Sequence, residues 1–192
     1  MKKVFFIALL YCHINIEMKG QENAMYFSKV KDAFGNEMLL GKCAVAALQQ
    51  PPFADWYNRN YSSYTVDTAT CNYIRPLLKD KKLTIFLGTW CGDSRREVPR
   101  MIKMLECCNF DFNNLKLIMV SNEDSLYKQS PAHEEAGRNI VRVPTIIVEE
   151  QHKEAGRIVE YPVSSLEKDL LSILRRENYI PNYSNIQVMR MR

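Results

Sequence analysis

The stretch LTIFLGTWCGDSRREVP, residues 83–99, puts an apolar run, a Trp-Cys pair and a helix-starting segment in immediate succession. Leu83 to Leu87 is short, apolar and rich in β-formers, which predicts a buried strand ended by Gly88-Thr89. From Asp93 onward, Val98, Met101, Ile102, Met104 and Leu105 recur at helical spacing among Arg95, Arg96, Glu97, Arg100 and Lys103, which predicts a helix over 93–108. Cys91 therefore falls at a helix N-terminus, where unpaired backbone N–H groups and the positive end of the helix dipole favour thiolate over thiol. Arg95 and Arg96 stand where they can add to that effect, and Asp93 stands where it opposes it. Packing as a small hydrophobe is the common fate of a cysteine, but such a residue rarely follows a strand end and precedes a polar turn.

Working outward, the pattern continues with a strand over 115–120, a helix around 131–139, strands over 144–149 and 157–161, and a last helix over 164–176. A helix between strands 83–88 and 115–120 demands a parallel crossover, whereas the polar loop Glu150 to Gly156 suits an antiparallel hairpin. In the last helix, Ser164 or Ser165 is the cap, Leu166, Leu170, Leu171 and Leu174 face the sheet, and Glu167, Lys168 and Asp169 face outward. Upstream, Met38 to Leu48 reads as a strand and short helix, and Pro51-Pro52 breaks the chain. Phe53, Trp56, Tyr57, Tyr61 and Tyr64 then form an aromatic packing face near helical spacing. Asp67 to Lys79 reads as a further helix with Asp67 as its cap and Ile74, Leu77 and Leu78 inward.

Strand, Trp90-Cys91, then a helix with Glu97 and Pro99, and later Val143-Pro144-Thr145 before an apolar strand, together resemble a thioredoxin-fold protein. Within that family, Trp-Cys-x-Asp-Ser, the Glu-x-Pro that follows and GRIVEYPVSSLEKDLLSIL are most similar to exported thioredoxin-like proteins of the Bacteroidetes type, over about residues 53–175. The resemblance implies an α/β thioredoxin fold, a mixed central β-sheet flanked by helices, preceded here by a mainly helical N-terminal extension. It also implies that Pro99 kinks the active-site helix and that Pro144 is a cis proline lying against the cysteine. Cys91 and Ser94 are the catalytic residues so implied, and Trp90, Val143 and Pro144 would contact substrate. Two departures matter. Ser94 replaces the resolving cysteine of Cys-x-x-Cys, so no local disulfide completes a dithiol cycle, although its hydroxyl can hydrogen-bond a thiolate. Ile85 stands where typical thioredoxins bury an acid.

The expected activity is accordingly thiol–disulfide exchange through a single thiol, with mixed disulfides resolved by an external thiol. Cysteine-containing proteins or small thiols are the expected partners, and no cofactor or metal is called for. One alternative is a non-catalytic thioredoxin-fold binding module. Another is a monothiol glutaredoxin-like protein, because Cys91-Gly92-Asp93-Ser94 is one residue from Cys-Gly-Phe-Ser; Trp90 and Pro99 argue for the thioredoxin side. His133 and His152 lack metal-ligand spacing and read as surface loop residues.

At 192 residues, 46% hydrophobic and 25% charged, the chain has the composition of a single-core globular protein. Met1-Lys2-Lys3 followed by Val4 to Tyr11 has the basic start and short apolar run of a secretory signal and is too short to span a bilayer. The organisation expected is a signal peptide over 1–20 with cleavage after Gly20 (or Ala24), an extension over 21–80, a thioredoxin-like domain over 81–178 and a tail over 179–192. Export to the periplasm follows, with lipid anchoring through Cys12 as the alternative, and no stable membrane insertion. Of the formal charge of +4, Lys2, Lys3, Lys19 and Glu17 contribute +2, and the remaining basic residues are dispersed, which argues against nucleic acid as a partner. Cys43, Cys71, Cys91, Cys107 and Cys108 remain after residue 20, an odd number. Cys107-Cys108 lies roughly 24 Å from Cys91 along a helix rising about 1.5 Å per residue, too far to resolve it. Their expected role is packing at the helix end, and Cys71 is left as a candidate resolving thiol.

Overall fold

Alternation along the central strands decides which side chains meet which layer. The computed structural model describes residues 27–32 and 34–187, so the expected leader and its cleavage points, Cys12 and the last residues of the tail lie outside the described residues. In chain order the elements are β1 (Phe27–Lys31), β2 (Glu37–Cys43), α1 (Val45–Leu48), α2 (Ala54–Ser63), α3 (Thr68–Ile74), β3 (Lys81–Leu87), α4 (Gly92–Cys107), β4 (Leu115–Met119), β5 (Thr145–Glu150), β6 (Lys153–Val159) and α5 (Leu166–Leu174). A single six-stranded sheet runs in the order β1-β2-β4-β3-β5-β6. Strands β3 and β4 are parallel, as a helical crossover requires, and every other pairing is antiparallel.

Because successive strand residues point to opposite faces, Leu83, Ile85 and Leu87 of β3 join Leu117 and Met119 of β4 and Ile146 and Val148 of β5 on one side. There they bury against Trp56 and Tyr57 of α2, Ile74 of α3, Met101, Ile102 and Leu105 of α4, and Leu166, Leu170 and Ile173 of α5. On the other side Phe86, Ile118 and Ile147 meet Val120, Ile140 and Val143, and Trp90 and Cys91 pack against this smaller cluster. No helix covers that side among the described residues.

The predicted strands and the helix after Cys91 form within a few residues of their expected ends. Residues 38–48 do contain a strand and a short helix, and the extension also contributes β1, which pairs antiparallel with β2, itself paired with β4. Two expectations are corrected. The helix around 131–139 does not form: Pro131 opens the segment, and His133, Gly137 and Asn139 have φ of 53°, 74° and 50°, left-handed values that cannot propagate a right-handed helix. Ser130 instead ties the turns together by donating through its backbone N–H to Glu135 at 3.0 Å and accepting from Glu134 N–H at 3.0 Å. Glu167 and Asp169 do not face solvent either, each being 2% exposed. Glu167 accepts from Tyr64 O–H at 2.8 Å and Asp67 N–H at 3.2 Å, and Asp169 accepts from Val163 and Ser164 N–H and from Tyr179 O–H. Buried acids on a helix are tolerable when such donors come from remote segments.

Candidate functional site

Cys91 is the N-cap residue of α4, with extended backbone at φ −85° and ψ 127° and no side-chain capping bond. Its backbone N–H donates to Gly88 O at 2.9 Å and its carbonyl accepts from Arg95 N–H at 3.0 Å, which fixes the turn between strand and helix. The sulfur is half-buried and its S–H donates to Val143 O at 3.2 Å. Val143 and Pro144 are both buried, and the peptide bond between them is cis. Pro144 O accepts from Glu160 N–H at 2.7 Å, anchoring this loop to the end of β6. The five residues singled out from sequence are thus brought to one place, and Ser94 also has a structural part there. Its side chain is wholly buried and its Oγ accepts from Gly88 N–H at 3.2 Å, pinning the end of β3 to the first turn of α4.

Trp90 lies over the strand end. Its Nε1–H donates to Val120 O at 2.8 Å, and its ring meets Tyr127 at 5.7 Å between centroids. Glycine is required beneath it, since a Cβ on Gly88 would sit 2.4 Å from Trp90 Cε2. The extension reaches the same turn: Leu39 N–H of β2 donates to the buried Thr89 Oγ1 at 3.2 Å.

The cations nearest in sequence are committed elsewhere. Arg95 Nε donates to Thr89 O at 2.5 Å with its guanidinium 6.0 Å from the Trp56 ring, and Arg96 pairs with Asp93 at 2.7 Å and with Glu97. That pairing also occupies Asp93, and Glu97, 3% exposed, is held by Arg96 and by Arg100 at 3.4 Å. A further cation, Lys128 in the loop after β4, comes within electrostatic reach of Cys91. Burial, with repulsion from Arg142, holds its ammonium below the usual lysine range, while the negative neighbours that pull it back up are Cys91 and Glu160. Lys128 Nζ donates to Val141 O at 2.7 Å and sits 4.6 Å from the Tyr127 ring centroid, so its place is set from two sides. Nothing in the local sequence marks this residue, 37 positions after Cys91 in a loop; only the return of the chain along β4 brings it there.

Of the other thiols, Cys43, Cys71 and Cys108 are buried and Cys107 is half-buried. Burial pushes the Cys43 thiol up to about 12. Cys71 lies against Met104, Cys107 and Cys108 at the far end of α4, so the expectation of Cys71 as a candidate resolving thiol for Cys91 is corrected. Among the described residues no group of three or more His, Cys, Asp or Glu side chains is arranged to hold a metal ion, and no helix is long and apolar enough to cross a membrane.

No family model and no curated protein sequence matches the chain. Among solved structures, a protein of unknown function from Pseudomonas aeruginosa is similar with a TM-score of 0.52 at 16% identity, over 71% of this chain and 93% of that one. Mitochondrial thioredoxin 3 from Saccharomyces cerevisiae, in its oxidized form, gives a TM-score of 0.34 at 23% identity over 58% of this chain and 96% of its own. The first of these likenesses, at 16% identity, concerns the fold and not the activity. A parallel β3-α4-β4 unit, the antiparallel β5-β6 hairpin, the closing α5 and a thiol at the first turn of α4 make this chain an α/β protein of the thioredoxin fold.

Proposed function

We propose that this chain carries out thiol–disulfide exchange through one thiol, Cys91, and that an external thiol resolves the mixed disulfide. The observation that supports the reading best is the placing of a half-exposed sulfur at the start of a 16-residue helix, within electrostatic reach of Lys128, with a buried serine where a dithiol site needs its second sulfur. Cys91 thiolate attacks one sulfur of a substrate disulfide, the S–S bond breaks, and the departing thiolate takes a proton from water. An external thiol then attacks the substrate sulfur of the mixed disulfide, passes its proton to solvent and frees Cys91, so that one disulfide has been exchanged for another. Lys128 and the free N–H groups of α4 offset the charge on the departing Cys91 sulfur. Trp90 and the Val143–Pro144 backbone flank the sulfur and would shape the substrate surface. Substrates in this reading are cysteine-containing proteins or small thiols. Residues 1–20 would direct the chain to the periplasm, with a lipid anchor at Cys12 as the other form of export.

The test is glutathione-dependent reduction of a small mixed-disulfide substrate by purified protein. Cys91→Ser should lower the rate on the order of 100-fold; a variant as active as wild type would sink the proposal. Ser94→Cys should in addition gain insulin reduction with dithiothreitol as donor.

A second reading, a non-catalytic binding module, draws on a groove of about 860 Å³ between the β1–β2 pair and the Cys91 turn, lined among others by Lys29, Asp32, Phe53, Trp56, Trp90 and Arg95. It requires Cys91→Ala to bind partners as tightly as wild type and wild type to show no exchange activity.

A further inference from the structure

The far end of α4 gathers three thiols that the proposed exchange at Cys91 does not use. Cys71 of α3 is wholly buried, with its sulfur 4.0 Å from Met104 O, one turn before Cys108. Cys108, the C-cap of α4, is also wholly buried and places its sulfur 3.7 Å from Met104 Sδ. Cys107, the last residue of α4, is the one thiol of the three that solvent reaches. Arg75 binds the Cys107 carbonyl at 3.0 Å, holding the end of α3 on the end of α4 and keeping a guanidinium beside these sulfurs.

We propose that Cys71 and Cys107 are a second redox pair, closed to a disulfide by a small-molecule disulfide such as oxidised glutathione. The order of events follows from access. Burial and hydrogen bonding to the two neighbouring thiols push Cys71 strongly upward and keep it protonated, and burial pushes Cys108 up to about 11 despite the opposing pull of its hydrogen bond with Cys71 and of Arg75. An oxidant therefore meets Cys107. The Cys107 thiolate attacks one sulfur of the disulfide, the S–S bond breaks, and one small thiol leaves with a proton from water. Cys71 then gives up its proton to solvent and attacks the Cys107 sulfur, releasing the second small thiol. Two protein thiols are oxidised by two electrons, and one disulfide is reduced to two thiols. Adjacent Cys107 and Cys108 cannot serve as the pair while α4 and its cap keep helical backbone, because neighbouring side chains on a helix point apart. The cross-link would tie α3 to the end of the helix that carries Cys91 at its start.

The experiment uses the full chain with Cys91→Ala, which removes the exchange site, titrated with oxidised glutathione and digested with trypsin without reduction. The pair predicts loss of two thiols per chain, release of two glutathiones, and one cross-linked species joining peptides 60–79 and 104–116, with fragmentation placing the bond at Cys107. The oxidised protein should melt about 5–10 °C above the reduced one, because the bond closes a loop of nearly forty residues. Adding Cys107→Ser, at a half-exposed site that leaves the core intact, should abolish the cross-link while the circular dichroism spectrum is unchanged. Stable glutathionylation of Cys107 without a cross-link would overturn the pair, as would a bond placed at Cys108.

Discussion

The two faces of the central sheet are covered by different means. Leu83, Ile85, Leu87, Ile146 and Val148 are sealed by α2 to α5, whereas Phe86, Ile118 and Ile147 are sealed by the chain between β4 and β5, which forms turns and one short 3₁₀ segment. A helix satisfies its own backbone hydrogen bonds, so the helical face is mainly apolar, with buried acids only at a few points such as Glu97, Glu167 and Asp169. The irregular segment must have its backbone groups met by side chains. Lys128 meets Val141 O, Arg157 meets Arg138 O and Asn139 O, and Thr145 Oγ1 meets Arg142 O. The loop-covered face, held by such bonds, is also the one that brings a cation within electrostatic reach of Cys91. Stability and chemistry are divided between the two sides.

The strongest way to break this division is to cut into each face and look for the wrong consequence. Ile102→Ala, wholly buried on α4 against the helical face, should cost about 2–4 kcal/mol in urea unfolding yet leave Cys91 alkylation in the folded protein within twofold of wild type. A large change in alkylation would mean that the helical core tunes the thiol directly. Gly88→Ala, at the strand end beneath Trp90, should cost less, about 1–3 kcal/mol, because the added Cβ would overlap the indole, which has to move away. Unlike the core variant it should also perturb the site, read as a shift in tryptophan fluorescence and an altered alkylation rate. An unchanged spectrum would show that Trp90 is not seated there.

Which parts of this were legible in the sequence follows the same division. Strands β3 to β6 and helices α4 and α5 were readable, because period-2 and period-3.6 apolar patterns record burial against a regular layer. The turn carrying Trp90 and Cys91, and the loop carrying Val143 and Pro144, were readable because a resemblance rests on those residues. The segment from 121 to 143 was not. Residues 131–139 within it were read as a helix, and the left-handed conformations at His133 and Asn139 are invisible until the chain is closed. Lys128 was missed for the same reason, and so was the burial of Glu167 and Asp169, whose donors Tyr64 and Tyr179 lie on separate segments. Arg95 and Arg96, the cations a local reading favours, turn out to be used by Thr89, Trp56, Asp93 and Glu97.

A finer test separates Lys128 from those local cations. Lys128→Gln should slow Cys91 alkylation at pH 7 about threefold, the effect of one partly solvated charge. Arg96→Gln should leave the rate at pH 7 unchanged, since its guanidinium is spent on two carboxylates. Equal effects of the two substitutions would return the electrostatics of the site to the helix. In the same experiment Cys43, Cys71 and Cys108 should stay unlabelled until the protein unfolds, as buried thiols held above their usual range.

The smallest expected effect lies in how the loop-covered face answers acid. Burial works to raise Glu135, but its bonds from Ser130 and the neighbouring His133 win, and the carboxyl is held below its ordinary value of 4.5. A group whose folded value is depressed stabilises the fold when ionised, so its contribution is complete above the ordinary carboxylate range and is lost as pH falls through the folded value. Hydrogen exchange across 121–143 should therefore quicken, relative to its intrinsic pH dependence, as pH is lowered from 6 toward 3, while amides of α4 and α5 keep their protection. Glu135→Gln should show the faster exchange already at pH 6 and flatten that dependence, with little change in the urea midpoint of the whole protein. If protection of α4 fell in step with the loop, the two faces would be one cooperative unit, and the separation of stability from chemistry argued from their covers would fail.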